Sequence, residues 1–261
     1  MDHELLRLVF FVLTFVLCAT WEWLAPKKGL TQNKLTRWAN NLALISISSI
    51  LVSLLLPIVA YQAAHYAMNN GIGLFNQFSI PLVVMLFISI LILDFAIYYQ
   101  HVLFHRVPIL WRLHRVHHAD QDIDMTTGAR FHPIEIILSM LIKMGVVMAL
   151  GIPPTAVIVF EIILNVSAMF NHSNARLYPS ADRLVRKWIV TPDMHRVHHS
   201  VIVKETHSNF GFFLSVWDRW FKTYTAQPKL GHDDMVIGLP IFKGAREQWL
   251  DKMLTQPFRK S

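Results

Sequence analysis

Five apolar stretches punctuate the chain, at about Leu5 to Leu24, Asn41 to Gln62, Ile80 to Gln100, Ile134 to Gly151 and Pro154 to Phe170. About 20 such residues carry a helix across the hydrocarbon core of a bilayer. Of the 261 residues 54% are hydrophobic and only 16% charged, whereas soluble domains carry about a quarter charged residues. A membrane accommodates that deficit, and backbone inside hydrocarbon must satisfy its own hydrogen bonds, which helices do. The expected fold is therefore all-α, with about three spanning helices followed by a helical hairpin. The hairpin is marked by the break Gly151-Ile152-Pro153-Pro154, and its short arms leave full spanning or re-entry open. The first stretch reads as a retained helix: its amino-terminal flank is not notably basic, and Lys27 and Lys28 follow it. With no Gly/Ser/Pro-rich linker, low-complexity tract or long-period repeat, residues 1–261 read as one domain.

The net charge is +7. The basic residues lie between the apolar runs, as in loops facing anionic cytoplasmic lipid, and no nucleic-acid motif accompanies them, so nucleic acid is not expected as a partner. Lys27, Lys28, Lys34 and Arg37 put the first loop inside, and the uncharged Met68–Ser79 loop is outside. Arg106, Arg112, Arg115 and Arg130 bring the third loop back inside. Everything after Phe170 is then a cytoplasmic helical cap, on a bacterial inner membrane, or on the endoplasmic reticulum of a eukaryote. Within that cap Trp217, Trp220, Phe221 and Tyr224 fall at helical spacing. They read either as an amphipathic helix at headgroup level or as a buried cap helix. The single cysteine, Cys18, excludes an internal disulfide and any Cys-based metal site.

The chain holds 14 histidines, and their spacing carries the chemistry. His101 and His105 close the third apolar run; His114, His117 and His118 follow as Leu-His-Arg-Val-His-His; His195, His198 and His199 repeat it as Met-His-Arg-Val-His-His. His132 and His172 stand singly. Spacings of three and four put side chains on one helix face, where two imidazoles grip one metal. The adjacent histidine of each His-His pair points about 100° away and serves a second. The loop charges place all ten of these histidines at the cytoplasmic face and His3 and His65 on the opposite one. A lone histidine is usually structural, which is the reading for His3, His65 and His232. His132, preceding a proline, either binds metal, orients a ligand or caps the next helix.

Ten imidazoles make five per metal, too many for a four-coordinate structural zinc site, and no His-Glu-x-x-His is present to mark a zinc protease. Nitrogen-rich sites of higher coordination suit iron, and a ferrous pair suits reductive activation of O2. Such a centre lacks charge compensation, which bridging oxygens and nearby acids should supply. Ligating histidines usually donate their other N–H to a carboxylate or carbonyl. Asp120, Asp122, Asp124 and Glu205 are near the clusters, and Glu135 and Asp193 are the preferred candidates. Asp94, Tyr98 and His101 share a helix face, as do Glu161, Asn165 and His172, and ionisable groups at such depth invite functional suspicion. Lys143 and Glu161 lie at matching depth on the hairpin arms, where mutual neutralisation is the simpler reading.

At His101-x-x-x-His105, His114-x-x-His117-His118 and His195-x-x-His198-His199 the sequence resembles the fatty acid hydroxylase/sterol desaturase superfamily. It is especially similar to the compact bacterial-type sterol desaturase family proteins. The likeness runs over about 94–224 and takes in Arg-Phe-His132-Pro, Phe-Asn-His172-Ser-Asn and Trp217-Asp218-Arg219. It implies a membrane enzyme that hydroxylates or desaturates lipids with two iron ions, O2 as co-substrate and two external electrons. It further implies His101, His105, His114, His117, His118, His172, His195, His198 and His199 as iron ligands, with His132 a further one. His207 departs from the pattern, relatives often having an acid there, and no ligand role is carried to it.

The chain contains no dinucleotide motif and no haem module, so the electrons are expected from a reductase, a ferredoxin or a cytochrome b5-like protein. The substrate is expected to be a sterol, fatty acyl chain or related lipid, reaching the histidines from the bilayer between helices. The competing readings are a metal transporter or sensor, which would hold its ions near the bilayer midplane, and a metal-dependent membrane hydrolase. No catalytic residue beyond the metal centre is expected.

Overall fold

The structure, a computed structural model, describes residues 3–260. Helix α1 (His3–Leu24) descends to the histidine end, α2 (Lys34–Leu55) returns, and α3 (Ala60–Asn69) runs at the far end. Helix α4 (Leu82–Arg106) comes back to the histidine end, and after a break at Val107 α5 (Pro108–His118) stays there. The hairpin follows as α6 (Pro133–Leu150) and α7 (Pro154–His172). The segments 3–24, 34–77, 82–106, 133–150 and 154–172 are each long and apolar enough to cross a membrane. At about 1.5 Å per residue, α4 reaches roughly 37 Å and each hairpin arm about 27 Å. Among the described residues there is no strand, only isolated bridges such as Pro26 with Ala175 and Ile189 with Leu214.

The second apolar stretch is not one helix. Pro57 lacks an amide proton and interrupts it, so α2 stops at Leu55 and α3 starts afresh at Ala60. Helices α3, α4, α6 and α7 share the bundle's largest core, built on Ala60, Ala64, Leu93, Val147, Val157 and Phe160. At that end Gly151 (φ 68°) ends α6, and Gly73 (φ 97°) meets it so closely that a Cβ on Gly73 would lie 2.1 Å from the Gly151 nitrogen. Only glycine satisfies both the left-handed backbone and the contact. His3 and His65 flank Tyr61 at the same end, with ring centroids 4.1 and 4.6 Å away. On the outside, α1 exposes Leu8, Leu13 and Leu17 and α4 exposes Val83, an apolar surface of the kind that lipid covers. Lys143 Nζ lies 3.0 Å from Glu161 Oε1, so this deep charge pair neutralises itself as expected, with Arg7 adding a further contact.

The cap is made of short helices: α8 (Pro179–Val185), α9 (Pro192–His198), α10 (Val203–Thr206), α11 (Val216–Trp220), α12 (Gly231–Asp234) and α13 (Leu250–Thr255). Its aromatic segment matches neither simple reading. Helix α11 ends at Trp220, and Lys222 turns to positive φ. Trp217 is tucked in, donating from Nε1 to Asp94 Oδ2 at 2.7 Å, while Trp220 and Phe221 stay exposed. Arg37, counted above as a loop charge, is wholly buried near the start of α2. Its guanidinium forks onto Asp120 at 2.8 Å and also binds Asp124. Asp122 accepts from the backbone amides of Thr31 and Gln32. These three acids sew the loop after α5 to the α1–α2 connection and touch no imidazole.

Candidate metal centre

The histidines come from the carboxyl ends of α4, α5, α7 and α9, because each helix carries them in its last turns. Pro108 and Pro192 at first-turn positions start α5 and α9, and Thr191 caps α9 by accepting from the Met194 amide. Nine of the ten candidates converge into two adjoining groups. His101, His105, His114, His118 and His198 form one; His117, His172, His195 and His199 form the other. Each group's donor atoms lie within 4.8 Å of one another. As the spacing required, His117 and His118 go to different groups, and so do His198 and His199.

The donor set fits metal ions. Nitrogens bound to one ion at about 2.1 Å sit about 3.0–3.4 Å apart, from octahedral to tetrahedral angles. His101 Nε2 lies 3.1 Å from His114 Nε2, and His172 Nε2 lies 3.1 Å from His117 Nε2 and 3.0 Å from His195 Nε2. All nine side chains are buried, and both ring nitrogens of His105, His118 and His199 find no hydrogen-bond partner among the described residues. So many orphaned polar atoms need an account, and bound ions give one. For the histidines of α5 and α9, burial also favours the neutral form that metals require. Burial pulls His114 down to about 3 and holds His117, His118, His195, His198 and His199 well below the usual imidazole range, with neighbouring histidines adding to the effect for those five.

The Nδ1 sides are anchored. His101 donates to the Phe210 carbonyl at 2.8 Å, His198 to the Ser208 carbonyl at 2.6 Å and His172 to the Ala168 carbonyl at 2.7 Å. His114 Nδ1 lies 2.6 Å from Glu135 Oε1. Since a carbonyl only accepts, these tautomers leave Nε2 as a free lone pair turned into the cluster. Asp218 fixes the loop that offers the Phe210 carbonyl by accepting from the Phe210 and Gly211 amides, and Asp94 accepts from the Phe213 and Leu214 amides. Asp94 is thus a clamp for that loop, and Tyr98 meets Thr223 at 3.0 Å rather than the site.

Two candidates are placed elsewhere. His132 caps α6, its Nδ1 accepting from the Ile134 amide and its Nε2 3.2 Å from the Leu254 carbonyl. Both nitrogens are engaged, and it belongs to neither group. Asp193 is taken up by Arg196, three residues on in the same helix, and by Lys27 at 3.4 Å. Glu135 alone of the preferred acids touches an imidazole.

Sequence reasoning missed the cavity beside the cluster. Its volume is about 170 Å³, its floor is His101, His114, His117 and Glu135, and its walls include Ile45, Ile97, Phe104, Phe131, Leu164 and Phe212. Gln100, Ser139 and Asn165 add polar groups, Gln100 Nε2 donating to Ser139 Oγ at 3.1 Å. Ile45, Ile97, Phe104 and Leu164 belong to spanning segments, so the cavity joins the apolar bundle to the histidines. The lining is scattered over α2, α4, α5, α6, α7 and the loops at Gly128, Phe131 and Phe212, and no local pattern announces it.

A sequence model of the fatty acid hydroxylase family matches residues 86–223, which contain all nine clustered histidines. The chain is 26% identical to the ornithine lipid hydroxylase OlsE of Rhizobium tropici over 180 residues, covering 69% of this chain and 52% of that protein. It is 32% identical to the alkylglycerol monooxygenase of Xenopus tropicalis over 136 residues, 51% of this chain and 29% of the relative. With the cholesterol 25-hydroxylase of Rattus norvegicus it shares 27% over 143 residues, 54% and 47%. The chain thus spans about half the length of these relatives or less. No solved structure matches. The five apolar segments make this a multi-pass membrane protein, and, with the family match covering more than half of its length, the chain belongs to the fatty acid hydroxylase family.

Proposed function

We propose that this protein is a membrane di-iron oxygenase that hydroxylates a C–H bond in the hydrocarbon part of a lipid. The observation that carries the reading is the pair of buried, neutral imidazole groups forming the floor of an apolar cavity. His101, His105, His114, His118 and His198 would hold one iron; His117, His172, His195 and His199 the other. When bound, the iron pair supplies the activation of O2 that side chains alone cannot provide. The remaining work falls to this chain. Glu135 and the carbonyls of Ala168, Ser208 and Phe210 set ring tautomer and direction. Phe131 stacks on His117 at 4.3 Å and keeps that ring from turning. The cavity walls hold the substrate chain and exclude water, so that one carbon is presented to the cluster.

Hydroxylation is favoured over desaturation because the relatives named above are hydroxylases and a monooxygenase. Their substrates pair a polar group with hydrocarbon, which suits a cavity whose walls are apolar but for Gln100, Ser139 and Asn165. The basic loops orient the histidine end toward the cytoplasm, on a bacterial inner membrane or, in a eukaryote, on the endoplasmic reticulum. The balance R–H + O2 + 2 e⁻ + 2 H⁺ → R–OH + H2O calls for a separate donor: a reductase, ferredoxin or cytochrome b5-like protein. A transporter would seat ions within the bilayer, whereas these groups lie at helix ends.

The test is metal analysis of the purified protein together with lipidomics of a deletion strain restored with the wild-type gene or with His198→Ala. Two irons per chain, and a hydroxylated lipid seen only with the intact gene, are expected. One zinc per chain without oxygen uptake would instead identify a hydrolase.

A further inference from the structure

The reading above requires electrons to reach imidazoles that no protein donor can touch, since every clustered histidine is at most 7% exposed. Trp111 bridges that gap. Its ring centroid lies 4.9 Å from His105 and 5.4 Å from His118, both of the five-histidine group, while the residue itself is half-buried. His207, exposed, stands 5.4 Å from His105 and 6.0 Å from Trp111. The two rings thus lead from the cap surface to the cluster by direct contact. They do so at His105 and His118, whereas the cavity is floored by His101, His114 and His117. Substrate and electrons have separate approaches.

The surface around these rings has a definite chemistry. Arg106, next to His105 in the chain, is exposed, as are Arg112 and Lys204. The acid on these segments, Glu205, is buried and accepts from the Lys229 amide at 2.6 Å. On the same two segments Ile109 and Val203 are 70% and 66% exposed. Exposed basic groups beside the half-buried Trp111 suit a transient partner of opposite charge, because long-range attraction speeds encounter while the limited contact permits release. The two-electron balance makes release essential, since a one-electron carrier docks twice per turnover.

We infer that the face bearing Arg106, Trp111, Lys204 and His207 docks an acidic one-electron carrier protein, with Trp111 as its contact to the metal centre. The inference rests on the di-iron reading. The experiment uses the iron-loaded full chain in nanodiscs of zwitterionic lipid, with a purified acidic [2Fe–2S] ferredoxin as probe. Binding is followed by anisotropy of labelled ferredoxin, and reduction of the iron by stopped flow. In Arg106→Glu/Lys204→Glu, both binding and the reduction rate are expected to fall about tenfold at low salt, an effect that added salt erases. Iron content and reduction by photoreduced deazaflavin, a small neutral donor, should not change. Trp111→Leu should keep iron content and reduction by deazaflavin while slowing reduction at saturating ferredoxin.

An unchanged ferredoxin rate in the charge-reversed variant overturns the docking face. Quenching of Trp111 fluorescence by brominated lipid in the nanodisc also overturns it, by placing this face on headgroups. If neither donor reduces the protein, the di-iron reading has failed, and the docking face with it. Ferredoxin that binds and reduces normally through another surface overturns the face alone.

Discussion

Each imidazole has two nitrogens, and four of the clustered histidines commit one to a fixed acceptor. The acceptors differ in kind: three backbone carbonyls and one carboxylate, Glu135. A charged acceptor raises the basicity of the far nitrogen more than a carbonyl does. Glu135→Gln, which keeps the hydrogen bond and removes the charge, should weaken iron retention about 10- to 100-fold while leaving the fold intact. Competition with a chelator measures this, and unchanged retention would make Glu135 a packing residue. His132 should behave oppositely. His132→Asn preserves a side-chain acceptor for the Ile134 amide and should keep iron at the wild-type level, whereas His132→Ala should cost about 1 kcal/mol through the lost cap. Loss of one iron in both variants would restore His132 to the centre. The histidines were legible because metal binding demands a specific side chain at a specific spacing. The carbonyls of Ser208 and Phe210 were not, since every residue carries one and only the chain's path aims it. Asp193 is held instead by Arg196, which approaches it from the next turn of the same helix.

Among the elements, the hairpin was plain in the sequence because Gly151, Pro153 and Pro154 leave few alternatives, and the apolar runs marked most helices to within a few residues. The break before α3 was hidden, as Pro57 sits in an otherwise unbroken apolar stretch. Harder still were contacts between elements. The turn at Met125–Ala129 lies on α7 so closely that a Cβ at Gly128 would stand 2.7 Å from the Ala168 carbonyl oxygen and 3.2 Å from His172 Nδ1. Gly128→Ala should therefore displace the Ala168–His172 hydrogen bond and lower iron content toward one per chain, with little change in helicity. Two irons in that variant would show that the turn can shift freely. The cavity is a second property of assembled elements. Ser139→Phe, on α6 one turn beyond Glu135, should fill the cavity and abolish lipid hydroxylation with both irons retained. Normal turnover of the native lipid would mean that the substrate reaches the histidines by another route.

At the scale of the molecule, the loop charges correctly separated two ends, with His3 and His65 opposite the cluster, although Arg37 among them is a buried partner of Asp120 and Asp124. What sequence could not supply was how helices far apart in the chain meet in one buried knot of neutral imidazoles, and that knot makes acid the molecule's weak direction. Burial and mutual repulsion depress the histidines of α5 and α9 below the value of about 6.5 that they regain on unfolding. Below that pH the unfolded chain binds more protons than the folded one, so stability falls as pH falls. Asp120, held below the ordinary carboxylate range by Arg37 and Arg130, acts in the same direction below about pH 4. Metal ions compete with protons for the same lone pairs, so the chelator-treated protein should be the more sensitive form. Its melting temperature in detergent should be level from pH 8 to 7 and drop steeply from about pH 6.5 downward, and ferrous iron added at pH 7 should raise it. A melting temperature indifferent to both acid and iron would mean that the imidazoles meet solvent, and that no such buried knot exists.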